Sequence, residues 1–114
     1  MGLLSGQAAN AQTTPVSGYI TRLEVHVGAA HVRFRVSNAP GDNGGHYGQY
    51  VCGSSLEAYF PLAASTVVGT YTYAQTVIDA LRSSVYLARA SQGQVDVYTV
   101  PDGASCVVTD IVVR

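Results

Sequence analysis

Hydrophobic and polar positions follow two different periods along this chain. Over the stretch opening at Thr72, apolar Ala74, Val77, Ile78, Leu81, Val85 and Ala88 recur at steps of three and four. That spacing draws one stripe of a helix. Thr72 with Gln75 three residues later fits a capping box, in which each side chain satisfies a backbone N–H at the helix start. Gly93 stands where the left-handed residue after a helix belongs. On both sides of this helix the period drops to two, which predicts strands.

Tyr19–Val27 sets Ile20, Leu23, Val25 and Val27 against Thr21, Arg22, Glu24 and His26. Its phase slips by one at Arg22-Leu23, the mark of a bulge. After the short turn Gly28-Ala29-Ala30, His31–Val36 puts Val32, Phe34 and Val36 on one face and Arg33 and Arg35 on the other. The two runs predict a β-hairpin, with Glu24 placed to pair across strands with the arginines. Ser37–Gly48 is a long polar loop whose Gly and Asn residues tolerate positive backbone angles. Gln49–Cys52 and Leu56–Phe60 are short strand candidates around Gly53-Ser54-Ser55, and Val67-Val68 adds a brief extended piece within Pro61–Gly69. Beyond the helix, Gln94–Val100 and Ser105–Val113 predict a second hairpin through the turn Pro101-Asp102-Gly103-Ala104. Cys106–Val113 is apolar nearly throughout, as in a strand buried on both faces.

The expected fold class is therefore α+β and mostly β. It is a five- to six-stranded antiparallel small barrel with one helix between strands 3 and 4, which is the element order of the OB-fold. A helix packed on an open antiparallel sheet is the other solution. Residues 1–18 carry few element signals and are expected to be a leader or signal-peptide remnant with an extended arm; residues 19–114 form the single domain. Ala9-Asn10-Ala11 before Gln12 has the small-x-small form of a signal-peptidase site.

Composition narrows the function. The 114 residues are 47% hydrophobic and only 11% charged, with no Lys, and the net charge is −1. Such a weakly charged surface suits an extracellular or self-associating protein, and equally a high-GC genome that favours Ala, Val, Gly and Arg. There is no basic run, so nucleic acid is not an expected partner. No apolar run approaches the roughly 20 residues needed to cross a bilayer. The two cysteines, Cys52 and Cys106, lie 54 positions apart, which is not a zinc spacing. In an exported chain they would most simply form one disulfide, contributing on the order of 4 kcal/mol by the loop-entropy model. In a reducing compartment they would be two buried thiols. With the leader, the expected location is secreted, periplasmic or extracellular.

Chemistry is thin. His26, His31 and His46 have no acid at ligand spacing and read as surface residues, although His26 and His31 flank a turn and could face each other. Asp42-Asn43 in its Gly-rich loop offers too few carboxylates for calcium. Gly53-Ser54-Ser55 is not a nucleophile elbow, and Glu24, Glu57, Asp79, Asp96, Asp102 and Asp110 are scattered. No enzymatic activity, metal or cofactor is expected. The eight tyrosines point instead to binding, because a Tyr ring stacks on sugar faces while its hydroxyl hydrogen-bonds. Tyr47 and Tyr50 border the polar loop, and Tyr71 and Tyr73 stand at the helix entrance.

GYITRLEV, HVRFRV, YVCGSS, the helix ending YLARASQGQVDVYTV and the closing SCVVTDIVV together resemble small secreted domains like the B subunits of subtilase cytotoxin and typhoid toxin. The resemblance covers Gly18–Arg114 and lies in spacing more than identity; the cysteines stand in a different arrangement. It implies an OB-fold protomer in a ring that binds cell-surface glycans, with Ser17 beside the position of a sialic-acid-contacting serine. The expected function is thus an exported, non-enzymatic, self-associating glycan-binding module. The alternative is a self-assembling extracellular structural protein without a small ligand, since an unpaired arm or edge invites strand addition between subunits.

Overall fold

A computed structural model describes residues 15–41, 48–68 and 71–114. In chain order the elements are β1 (Val16–His26), β2 (His31–Ser37), β3 (Glu57–Pro61), β4 (Val67–Val68), β5 (Tyr71–Thr72), α1 (Gln75–Ser91), β6 (Gln94–Asp102) and β7 (Ser105–Val113). Five strands close into a barrel in the order β1-β2-β3-β7-β6, and β6 returns to β1. β4 and β5 form a separate two-stranded ribbon. The described residues are mostly β, with one helix between the third and fourth barrel strands, as the pattern predicts.

The sheet is mixed, which corrects the expected antiparallel barrel. β3 and β7 run parallel, pairing Ala58 with Cys106 and Tyr59 with Val107. Parity explains it: five strands closed in a ring cannot alternate direction at every junction, so one junction must be parallel.

The alternation along each strand sorts core from surface. Val32, Phe34 and Val36 of β2, Ala58 and Phe60 of β3, and Val95 and Val97 of β6 are fully buried. Each such Val or Phe stabilises the fold by about 1.5–3 kcal/mol through burial. Ile78, Leu81, Val85 and Ala88 of α1 complete the core from the helix side. The predicted slip in β1 is a bulge, where the register with β2 shifts between Thr21 and Glu24 and Arg22 takes φ 48°.

Other expectations need adjustment. Thr72 belongs to β5 and does not cap the helix; Ala74 is the N-cap and supplies no side-chain bond, while Gln75 donates to Asp79. The Tyr73 hydroxyl donates to the Val108 carbonyl in the core, so tertiary anchoring sets where the helix begins. The left-handed residue at its end is Gln92 (φ 54°), one before Gly93. Val77 lies one step round from the buried stripe and is 41% exposed. Gln49–Cys52 is not a strand but is tied in by single bridges, Ser37 to Gly48 and Cys52 to Ser55. β6 continues through Pro101 to Asp102, so Gly103-Ala104 alone turns the second hairpin. β7 is buried on both faces only over Cys106–Val108; from Thr109 its outer side opens.

Cys52 and Cys106 form a disulfide with Cα atoms 5.8 Å apart. No helix among the described residues is long and apolar enough to cross a membrane.

Candidate functional site

The outward residues of β2 and β3 form a polar face beside two turns. The inward residues of these strands are committed to the core, so His31, Arg33 and Arg35 of β2 and Glu57 and Tyr59 of β3 must face out. Register brings them together: Arg33 stands opposite Tyr59, and Arg35 opposite Glu57. A cleft of about 320 Å³ opens here, lined by His31, Arg33, Ser55, Glu57, Tyr59 and Ser105. That volume lies near the lower end of the range of about 300–1,000 Å³ typical of small-molecule sites.

Its rings sit at one end. The His31 ring centroid lies 5.7 Å from that of Tyr59 in an edge-on arrangement and 5.0 Å from that of His26. His26 and His31 are register partners across the first hairpin, so the expected facing of these histidines is observed. The Tyr59 hydroxyl donates to Asp102 Oδ2 at 3.0 Å, which fixes the ring against the β6–β7 turn. Burial first, and then the bond to Asp102, push the Tyr59 hydroxyl above its ordinary value. His31 is held below its ordinary value by burial, with the nearby His26 and Arg33 adding to it and a backbone bond to Ala29 opposing.

Charges fill the other end as a ladder. Arg33 Nη1 donates to Glu57 Oε1 at 3.0 Å, and Arg35 Nη2 donates to Glu57 Oε2 at 3.4 Å. Arg33 Nη2 lies 3.2 Å from His26 Nε2, and its Nε is 3.9 Å from Glu24. Glu24 also meets His26 at 2.8 Å and Arg22 at 3.7 Å. The hydrogen bond with His26 is the first cause holding the Glu24 carboxyl below its usual range. Glu57 is thus the closer partner of Arg33 than the cross-strand Glu24 expected from the sequence.

The disulfide shapes the rim. Cys52 lies in a tight turn in which Val51 N–H bonds to Ser55 O and Ser55 N–H to Cys52 O. Cys106 follows Ser105 directly. One covalent bond therefore fixes both rim serines, Ser55 and Ser105.

The sequence-predicted site residues among those described lie outside the lining of this cleft. Ser17 is on β1 opposite Asp96 of β6, and its hydroxyl donates to that carboxylate, which Arg114 also binds. Tyr50 is 64% exposed between β2 and β3. Tyr71 is half-buried and packs against the core. Tyr73 is buried, with its hydroxyl committed to Val108. Tyr47, His46, Asp42 and Asn43 lie outside the described residues. Among the described residues no three His, Cys, Asp or Glu side chains gather in a way that could hold a metal ion.

Sequence reasoning passed over Glu57, Tyr59, Ser55, Asp102 and Ser105 as site residues. The alternation in Glu57–Phe60 was a usable signal, because it sends Glu57 and Tyr59 to the same face. What was missing was the register that sets them against Arg33 and Arg35. Compared with known proteins, the chain matches no family model, no curated protein and no solved structure.

Proposed function

We propose that the protein is an exported, non-enzymatic binding module that holds a glycan in the β2–β3 cleft. The observation that carries this reading is the pairing of the Tyr59 and His31 rings with the Arg33–Glu57 ladder in one open cleft. Ring faces meet the C–H side of a sugar, while charged donors and acceptors meet its hydroxyls. The strand order, with the helix between the third and fourth barrel strands, supports an OB-like barrel. In OB-folds the face of strands 2 and 3, flanked by the loops between strands 1–2 and 4–5, binds oligosaccharides and oligonucleotides. A cleft lined by β2, β3 and the start of β7 supports that reading, and the disulfide suits an oxidising compartment.

Self-association is part of the same proposal. Val77, Ala80, Ser84 and Leu87 run along one uncharged side of α1, and Leu87 is 59% exposed. This stripe also favours the second reading, a self-assembling structural protein without a small ligand. A glycan array, followed by titration calorimetry of wild type and Tyr59→Ala, tests the first. Binding that Tyr59→Ala abolishes supports it; no binding to any sugar, together with a polymer or ring by native mass measurement, favours the second.

A further inference from the structure

We infer that the cleft selects an uncharged, hydroxyl-rich sugar and discriminates against sugars carrying a carboxylate. This rests on the glycan-binding reading above and names the class of ligand.

The charge in this cleft is already engaged within the protein. An acidic sugar is best held by an arginine with a free fork of N–H donors. Arg33 offers no open fork: Nη1 is on Glu57, Nη2 faces His26, and Nε is buried, without a hydrogen bond and 3.9 Å from Glu24. Arg35 is likewise engaged by Glu57. Arg22, the third arginine on this side, meets Glu24. The carboxylates paired with these arginines are Glu24 and Glu57, while Asp102 is held on the Tyr59 hydroxyl. A ligand carboxylate would have to displace Glu57 and then sit near that expelled charge, at a loss of both pairing and hydration. His31 does not compensate, since its burial keeps it neutral near pH 7.

A neutral polyol meets no such obstacle. Each Glu57 oxygen keeps a lone pair for a sugar hydroxyl, because a carboxylate oxygen accepts more than one hydrogen bond. The Tyr59 oxygen donates to Asp102 and so stays open as an acceptor. Ser105 is exposed on the rim, with a hydroxyl that both donates and accepts. The Tyr59 and His31 rings supply the apolar surface. Paired charges in a half-buried cleft thus act as a fixed row of donors and acceptors.

The test uses the full chain at pH 7.5 with neutral gluco-, galacto- and manno-oligosaccharides and the same compounds extended by a sialic or uronic acid. At least one neutral compound is expected to bind, with its acidic counterpart weaker by about ten-fold or more. Tyr59→Phe should retain most of the neutral binding and Tyr59→Ala should lose about ten-fold or more, as expected for a ring platform. Glu57→Gln, checked for folding by its melting curve, should weaken the neutral compound and narrow its advantage over the acidic one. Acidic compounds binding as well as or better than neutral ones, or an unchanged ratio in Glu57→Gln, would overturn the inference while leaving glycan binding standing. Failure of every sugar, neutral and acidic, would instead remove the glycan reading itself.

Discussion

Cys52 is bonded to Cys106 across 54 positions of chain, and the two sulfurs differ in surroundings. Cys106 is fully buried in the barrel core, whereas Cys52 lies half-exposed in the turn before β3. The crosslink restricts the unfolded chain and contributes on the order of 4 kcal/mol in the loop-entropy model. Cys52→Ala removes the crosslink and leaves a thiol of nearly native volume in the core. Cys106→Ala removes the crosslink and also leaves a small core void. Both variants are expected to melt well below wild type, with Cys106→Ala the lower. Equal melting temperatures would show that the crosslink alone matters; unchanged ones would show that the bond contributes nothing.

Gly18 stands where β1 passes from its pairing with β6 to its pairing with β2. A Cβ at this position would lie 2.5 Å from the Ser37 carbonyl oxygen, a backbone atom, and 2.9 Å from Gln49 Nε2. Gln49 is itself held there by donating to the Ser17 carbonyl at 2.8 Å. Gly18→Ala must therefore push two strands apart, and is expected to destabilise by about 1–3 kcal/mol, the range for overpacking. Gly28, in the β1–β2 turn, has no atom within 4 Å of such a Cβ. Gly28→Ala is expected to change stability by no more than about 0.5 kcal/mol, as is usual at open surface positions. Denaturant unfolding of the two variants side by side tests the contrast.

Local pattern was legible wherever a side chain's fate depended on its neighbours in sequence. The slipped phase at Arg22-Leu23 foretold the bulge, and the alternation of Val32, Phe34 and Val36 foretold an inward face. Long-range geometry overrode local signals elsewhere. Thr72 has the right spacing to Gln75 for a cap, yet pairing with Val67 draws it into a ribbon. The parallel β3–β7 junction has no local signature; ring closure demands a parallel junction, and only the long-range pairing shows where it falls. The site suffered most from this. Tyr47, Tyr50, Tyr71 and Tyr73 attracted notice as tyrosines beside loops, a compositional cue. Tyr59 lies inside a strand, and only the register against Arg33 gives it significance.

Tyr73 is held in the core by its hydroxyl as much as by its ring. That hydroxyl donates to the Val108 carbonyl, and burial raises its ionisation far above the ordinary tyrosine range. Tyr73→Phe preserves the ring and leaves a buried carbonyl without this donor, a loss of about 1–3 kcal/mol. For a domain of this size each kcal/mol shifts the melting temperature by roughly 4–8 °C. The expected outcome is a clear fall in melting temperature by calorimetry. An unchanged melting temperature would mean that the carbonyl finds another donor or water.

His31 makes stability depend on pH in a definite direction. Its folded-state value lies below the ordinary 6.5, because burial disfavours the charged ring and His26 and Arg33 face it. The backbone bond to Ala29 only partly offsets this. Below pH 6.5 the unfolded chain binds the imidazole proton more readily than the folded one, so protonation pulls towards unfolding. The stability that the neutral ring contributes is fully present above 6.5. It is lost as the pH falls from there through the lower folded-state value. Glu24 and Asp96 are held below their ordinary values of 4.5 and 3.8, so their own losses come at more acidic pH and leave pH 7.5–5 clear. Melting temperature measured across that interval is expected to fall for wild type. The fall should be shallower in His31→Gln, which cannot take up the proton. Parallel curves for the two proteins would sink the assignment and place the pH dependence on another group.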